Sequence, residues 1–460
     1  MNTSLWVDSK SPDSKLPSEP FTMGSELEGD TQADVVIVGG GYTGLWTAYY
    51  LNKIDPGLDI CIVDARYPGF GASGRNGGWV SALFPAHLSA LARASSRGEA
   101  VRMHQSMVHN VGEIGAVISE HGWNVDWAHG GTVVAARTPI QRERALTEVR
   151  EMQSWGLGDD LVFLDREETL QQVAATEVLG GTFTPHCAAI NPYLLVRELA
   201  NHLAQRKVTF FVNSPVTEMS PGIVRTRIGS VRAPVTIRAT EGYTRTLHGQ
   251  KRTLAPVYSL MIATEPLTET QISEIGLGNR QTFSDYRNLI VYGQRTADNR
   301  IAFGGRGAPY FYGSRITDSQ DRNIKVHREL WQTLTDMFPV LRSSRVTHTW
   351  GGPLGVARDW WASCGFDRLT GEGWSGGYVG DGVGTSHLGG KTLAHLITAT
   401  ESPLTSLPWV GHHSPDWEPE PLRWLGANAG LQIMQRADNY EDRTGKSSTT
   451  AKVVGRLLGR

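Results

Sequence analysis

The pattern of apolar and polar positions changes sharply at Ala33. An apolar run, ADVVIVGGG, stops in glycine; YTGLWTAYYLNKI carries apolar residues at helical spacing; DPG turns; and LDICIVDA is a second apolar run. Strand, turn, helix, turn and strand in that order predict a right-handed βαβ unit with parallel strands. Further along, 99–121 reads as a helix, GGTVVAAR at 130–137 as a strand, and 139–175 as solvent-facing helices. NPYLLVRELANHLAQRK is amphipathic, with Asn191 and Pro192 as its start signal. VTFFVNSPV and APVTIRATEGYT read as strands that resume the nucleotide-type pattern. APVYSLMIATEPL, NLIVYGQRT and RIAFGGRG predict a second region of strands, followed by a helix at about 320–338 and a glycine-rich stretch, WSGGYVGDGVGTSHLGGKTLAHLI. Residues 1–32, polar and rich in Ser, Pro and acidic side chains, read as an irregular arm, and the tail from 411 as turns plus one helix ending in KVVGRLLGR.

Length and composition narrow the picture. A chain of 460 residues exceeds what one hydrophobic core usually covers, so two cores are expected. With 44 basic and 46 acidic residues the net charge is −2, which gives no global attraction for nucleic acid or an anionic membrane and favours a small-molecule partner. The three cysteines, Cys61, Cys187 and Cys364, have no CxxC spacing, which points to reduced thiols, a cytoplasmic setting and no metal site. Neither a signal peptide nor an apolar stretch long enough to span a membrane is visible.

Gly39-Gly40-Gly41-Tyr42-Thr43-Gly44 fits GxGxxG, a weak signal alone in a chain with 52 glycines. Context strengthens it, because it follows a strand, opens a helix, and precedes Asp64 at the end of the next strand. Gly39 allows the tight turn, Gly41 lets backbone approach a pyrophosphate, and Gly44 lets helix pack on strand. The phosphates then meet free N–H groups and the helix dipole, with Asp64 on the ribose hydroxyls. An ordinary glycine turn is the alternative. The fingerprint does not separate NAD from FAD, but the second strand runs into YPGFGASGRNGGWVS rather than into further βα repeats. A loop with Ser73, Arg75, Asn76 and paired glycines suits a second phosphate and the close approach of a flat ring.

ADVVIVGGGYTGLWTAYYL, Asp64, GASGRNGG, RATEGYT, FGGRG and GGYVGDGVGTSHLGGKTLAHLI together resemble the FAD-dependent amine oxidoreductases of the D-amino-acid oxidase, glycine oxidase and sarcosine oxidase superfamily, most closely the γ-glutamylputrescine oxidoreductase-like branch. The resemblance covers roughly residues 30–430. It implies an α/β fold with a glutathione-reductase-like, Rossmann-type FAD domain at about 31–100, 186–255 and 345–405. An inserted α+β substrate domain with an antiparallel sheet would take 101–185 and 256–344, and a tail 406–460. It also implies non-covalent FAD held by Gly39, Gly41, Tyr42, Thr43, Gly44, Asp64, Ala65 and Arg66. The Gly-rich loop (Gly71, Ala72, Ser73, Arg75, Asn76, Gly77 and Gly78), Val216, Thr240 and Gly352 would add contacts. At Gly380, Asp381, Gly382, Val383, Gly384 and Thr385 backbone donors would face the flavin edge where negative charge develops, unless that loop merely packs.

The same resemblance implies oxidation of a small amine or amino acid derivative by hydride transfer, with orientation rather than a catalytic triad supplying the rate. Tyr292, Arg306 and Trp350 are the expected substrate-side residues. A salt bridge for Arg306 and a core position for Trp350 stand as alternatives. His186 and His387 read as structural histidines. Where sarcosine oxidase-like members carry carboxylate-binding arginines, this chain has Gly77 and Val80, and their oxygen-promoting lysine is replaced near Ala302. An acceptor other than O2 therefore stays open. A monooxygenase using NAD(P)H and a non-catalytic flavin-binding subunit are the competing readings.

Overall fold

The computed structural model describes residues 4–8, 24–305 and 307–450. Its first layer is a six-stranded sheet in the order Ser363–Asp367, Glu372–Gly376, Val235–Arg238, Val35–Val38, Ile60–Val63, Thr209–Phe211. All neighbours run parallel except the antiparallel edge pair of Ser363–Asp367 with Glu372–Gly376. Val35–Val38 and Ile60–Val63 are buried at every position, which explains why they read as continuous apolar runs rather than as alternating ones. One face packs under the helices Tyr42–Ile54, Arg97–His121, Pro192–Gln205 and Gly382–Thr398. The other is covered in part by a four-stranded sheet, in the order Gly29–Gln32, Gly229–Arg232, Ile223–Arg225, Glu218–Ser220.

The second layer is an eight-stranded sheet in the order Val346–Val356, Ala255–Thr264, Ile301–Gly305, Val291–Arg295, Thr282–Asp285, Thr132–Ala136, Gly180–Thr184, Val162–Leu164. It is antiparallel apart from Thr282–Asp285 beside Thr132–Ala136. One face, with Leu260, Ile262, Phe283 and Phe303, packs on the helix Ile324–Met337. Residues of opposite parity, Ser259, Met261, Tyr292 and Trp350, lie on the other face.

Two boundaries drawn from sequence move. Arg97–His121 packs through Met103, Met107, Val111 and Ile114 into the core of the six-stranded sheet, although the substrate domain was expected to begin at 101. Val346–Val356 pairs along its length with Ala255–Thr264, so 345–356 belongs to the eight-stranded sheet rather than to the nucleotide-type one. The expected irregular arm is corrected as well. Leu5–Asp8 forms a helical turn with Leu5 and Trp6 buried, and Gly29–Gln32 is a paired strand. The predicted helix in the tail is Leu422–Thr444, while KVVGRLLGR lies outside the described residues.

Candidate functional site

A cavity of about 610 Å3 opens where the C-terminal ends of Val35–Val38, Ile60–Val63 and Val235–Arg238 meet, the crevice in which parallel α/β sheets bind ligands. Gly39 turns at φ +113°, and a Cβ there would sit 2.4 Å from the Ala239 carbonyl oxygen. The helix Tyr42–Ile54 begins at Gly41 with no side-chain cap. Tyr42 N–H donates to Ser73 Oγ (2.9 Å), which ties the helix start to the Gly-rich loop. Gly44 lies behind the turn, where a Cβ would be 2.0 Å from the Gly39 carbonyl oxygen, as close helix-on-strand packing requires.

Asp64 Oδ2 accepts from Gly40 N–H and Oδ1 from Arg66 N–H, both at 2.7 Å. Each oxygen keeps a further acceptor position for a hydroxyl. Burial raises the Asp64 pKa, and the two N–H bonds oppose that rise. Ala65, Arg66, Val216 and Thr240 line the same end of the cavity.

The loop that follows holds its carbonyls closed. Gly71 and Ala72 accept from Gly74 N–H and Arg75 N–H, and Asn76 Nδ2 donates to Ala72 and Ser73. Ser4 Oγ donates to the Gly74 carbonyl (3.2 Å), Trp350 Nε1 to Arg75 (2.9 Å) and Trp6 Nε1 to Asn76 (2.7 Å). Gln294 Nε2 serves Gly77 and Gly78. The amides of Gly71, Ala72, Ser73, Asn76 and Gly77 have no partner among the described residues, so this loop can offer them to a ligand.

At the opposite wall, Gly380, Gly382 and Val383 line the cavity at the start of Gly382–Thr398. Asp381, Gly384 and Thr385 do not. Asp381 is the N-cap position, Gly384 approaches the Ser81 carbonyl, and Thr385 Oγ1 donates back to the Asp381 carbonyl. Of the other expected contacts, Gly39, Gly41, Tyr42, Thr43, Gly71, Ala72, Ser73 and Asn76 line the cavity. Gly44, Arg75, Gly78 and Gly352 are not part of that lining, nor is Gly77, which lies beside the cavity against the Tyr292 ring. Arg75 pairs with Asp321 (2.6 Å), lies over the Phe70 ring and passes beside Gly352.

Sequence reasoning did not single out the residues of one wall, the 3-10 turn Glu241–Thr246 with Tyr243, or Tyr378. The turn's signal was the motif RATEGYT, read as the end of a strand and as a family motif from which only Thr240 was taken as a contact. Glu241 Oε1 accepts from Tyr378 N–H (2.9 Å), and burial pushes its carboxyl up to about 7.

Of the residues expected on the substrate side, the half-buried Tyr292 lies against Gly77 and Gly304, where a Cβ on either would come within 2.7 Å of its ring. Its hydroxyl bonds Ser259 Oγ (2.7 Å), and Trp79 meets the ring edge-on. Trp350 is 2% exposed and acts through its bond to the loop rather than as a cavity wall. Arg306 lies outside the described residues. Both histidines are structural. His387 sits between Tyr50 OH and Asn110 Oδ1, its pKa lowered to about 3 by burial, and His186 pairs with Asp160. Val80 and Ala302 are fully buried core positions. All three cysteines are free and buried, and no group of metal-binding side chains occurs among the described residues. No described helix is long and apolar enough to cross a membrane.

A Gly-rich turn at a helix start, an acidic residue ending the next strand and a second loop with free amides define a dinucleotide cleft of the flavoprotein kind. The chain belongs to the DAO family of FAD dependent oxidoreductases, whose pattern it matches over residues 34–396. It is 29% identical to the gamma-glutamylputrescine oxidoreductase of Escherichia coli K12 over 377 residues, 79% of this chain and 83% of that one. It is 27% identical to the probable oxidoreductase OrdL of Rhizobium meliloti over 386 residues, covering 83% and 86% of the two chains. Glycine oxidase from Geobacillus kaustophilus shares the fold, with a TM-score of 0.67 at 18% identity over 83% of this chain and 99% of that structure. The protein is an FAD-dependent oxidoreductase.

Proposed function

We propose that this protein oxidises a C–N bond in a small amine or amino acid derivative, removing a hydride from the carbon to leave an iminium ion that gives up its N–H proton to water as an imine, which water hydrolyses. FAD supplies the hydride acceptor. Tyr42, Asp64 and the Gly39–Gly41 turn would hold its adenosine and pyrophosphate. The amides of Asn76 and Gly77, with Gly380, Gly382 and Val383, would hold the ring end. None of the three cysteines lines the cavity, in keeping with non-covalent binding.

The observation that carries the substrate reading is the aromatic face set against the loop, with Tyr292 resting on Gly77 and Trp79 meeting its edge. Such a face excludes water and orients a neutral amine with its C–H toward the loop, the main contribution the protein can make. The positions corresponding to carboxylate-binding arginines are Gly77 and the buried Val80, which supports a substrate recognised elsewhere than at an α-carboxylate. The buried Ala302 in place of a lysine favours an acceptor other than O2.

The test is anaerobic. Purified protein showing a flavin spectrum is mixed with polyamines, acylated polyamines, N-methyl amino acids and D-amino acids while the visible flavin band is followed. Bleaching by one class names the substrate, and readmitting air shows whether O2 reoxidises the cofactor. Bleaching by NADPH alone would overturn amine oxidation in favour of a monooxygenase.

A further inference from the structure

Residues 4–8 lie far along the chain from the cleft, and no expectation gave them a role. In the structure Leu5 and Trp6 are buried, 1% and 2% exposed, in a cluster with Tyr193, Met261, Ala302 and Trp350, and Tyr292 packs at its edge. This is the face of the eight-stranded sheet that meets the Gly-rich loop. Trp6 meets Trp350 edge-on, with ring centroids 6.0 Å apart.

The two indoles act on successive peptide units. In a trans peptide the C=O of one residue and the N–H of the next belong to the same rigid plane and point in opposite directions. Trp350 Nε1 grips the Arg75 carbonyl and so orients the Asn76 N–H. Trp6 Nε1 grips the Asn76 carbonyl and so orients the Gly77 N–H. Ser4 Oγ fixes the carbonyl just before, that of Gly74. Neither of the two amides aimed in this way has a partner of its own among the described residues, so both are open to a ligand. A loop with glycines at 71, 74, 77 and 78 has many backbone states open to it, so its geometry must be imposed from outside.

We propose that Trp6, supported by Ser4, is a positioning residue of the flavin site: the 4–8 segment sets the 76–77 peptide plane so that its N–H meets the cofactor. This rests on the reading that FAD fills the cleft. The segment is thus part of the cofactor site although it lies outside the nucleotide-binding sheet.

Trp6→Phe keeps the ring in the cluster and removes only the N–H, and Trp6→Ala removes both. The dissociation constant of FAD is measured by titrating apoprotein, together with the visible absorption and circular dichroism of the bound flavin and the melting temperature of the apoprotein. The expected result for Trp6→Phe is a small fall in apoprotein melting temperature from the lost hydrogen bond, an FAD dissociation constant raised about five-fold, and an altered flavin spectrum. Wild-type FAD affinity and spectrum in both variants would overturn the proposal. Failure of the wild-type protein itself to bind FAD would instead defeat the reading of the cleft, so the two failures are distinguishable.

Discussion

At the scale of single residues, the site is governed by how buried polar atoms are met. Asp64 closes the Gly-rich turn by accepting from Gly40 and Arg66. Asp64→Ala leaves both N–H groups without that acceptor and should lower stability by about 1–3 kcal/mol, read by urea denaturation, and weaken FAD binding at least ten-fold in a titration. Glu241 gives a pH signature. Its folded pKa of about 7 lies above the ordinary glutamate value because burial disfavours the charge. The unfolded chain therefore loses its proton first, and stability falls as pH rises from about 4.5 to about 7. Melting curves of the apoprotein across that range should show the fall, and Glu241→Gln should flatten it. Asp64 was legible because its position after the second apolar run has one chemical meaning in a βαβ unit. Glu241 was not, since its environment is made by Tyr378 and Gly355, more than a hundred residues away in sequence.

Among the elements, the pair Tyr42–Ile54 and Gly382–Thr398 fixes the distance between the two cofactor-facing helix starts. A Cβ on Gly390 would lie 2.7 Å from the Thr47 backbone nitrogen, so the helices touch backbone to backbone there. Gly390→Ala should force them apart, costing about 1–3 kcal/mol in chemical denaturation and raising the FAD dissociation constant. Continuous apolar runs, Asn191 with Pro192, and the spacing of 192–205 made these strands and helices readable in advance. The turn Leu5–Asp8 was not readable, because LWVD is too short to carry periodicity and its burial is decided by Trp350 and Tyr193.

In the molecule as a whole, the cleft joins two sheets through a loop that touches both, so cofactor and fold are thermodynamically linked. FAD at one hundred times its dissociation constant should add about 2.7 kcal/mol of stability. This is measurable as a rise in melting temperature that grows with FAD concentration, and NAD at equal concentration should give no such rise. The βαβ start of the six-stranded sheet and the strand run at 255–305 were readable from the apolar pattern. The true boundaries were not, because strand partners such as those of Val346–Val356 are chosen by tertiary pairing rather than by local sequence.

The central strand Val35–Val38 has Val235–Arg238 as one neighbour, two hundred residues later, and Ala255–Thr264 waits for Val346–Val356. A nascent chain therefore leaves the ribosome with one edge of each of these strands unpaired until Val235–Arg238 and Val346–Val356 have been made. Non-local pairing of this kind slows folding and exposes sticky edges meanwhile. The layout that brings a nucleotide sheet and a substrate sheet to one cleft thus makes the yield of active protein a matter of synthesis rate and chaperone supply.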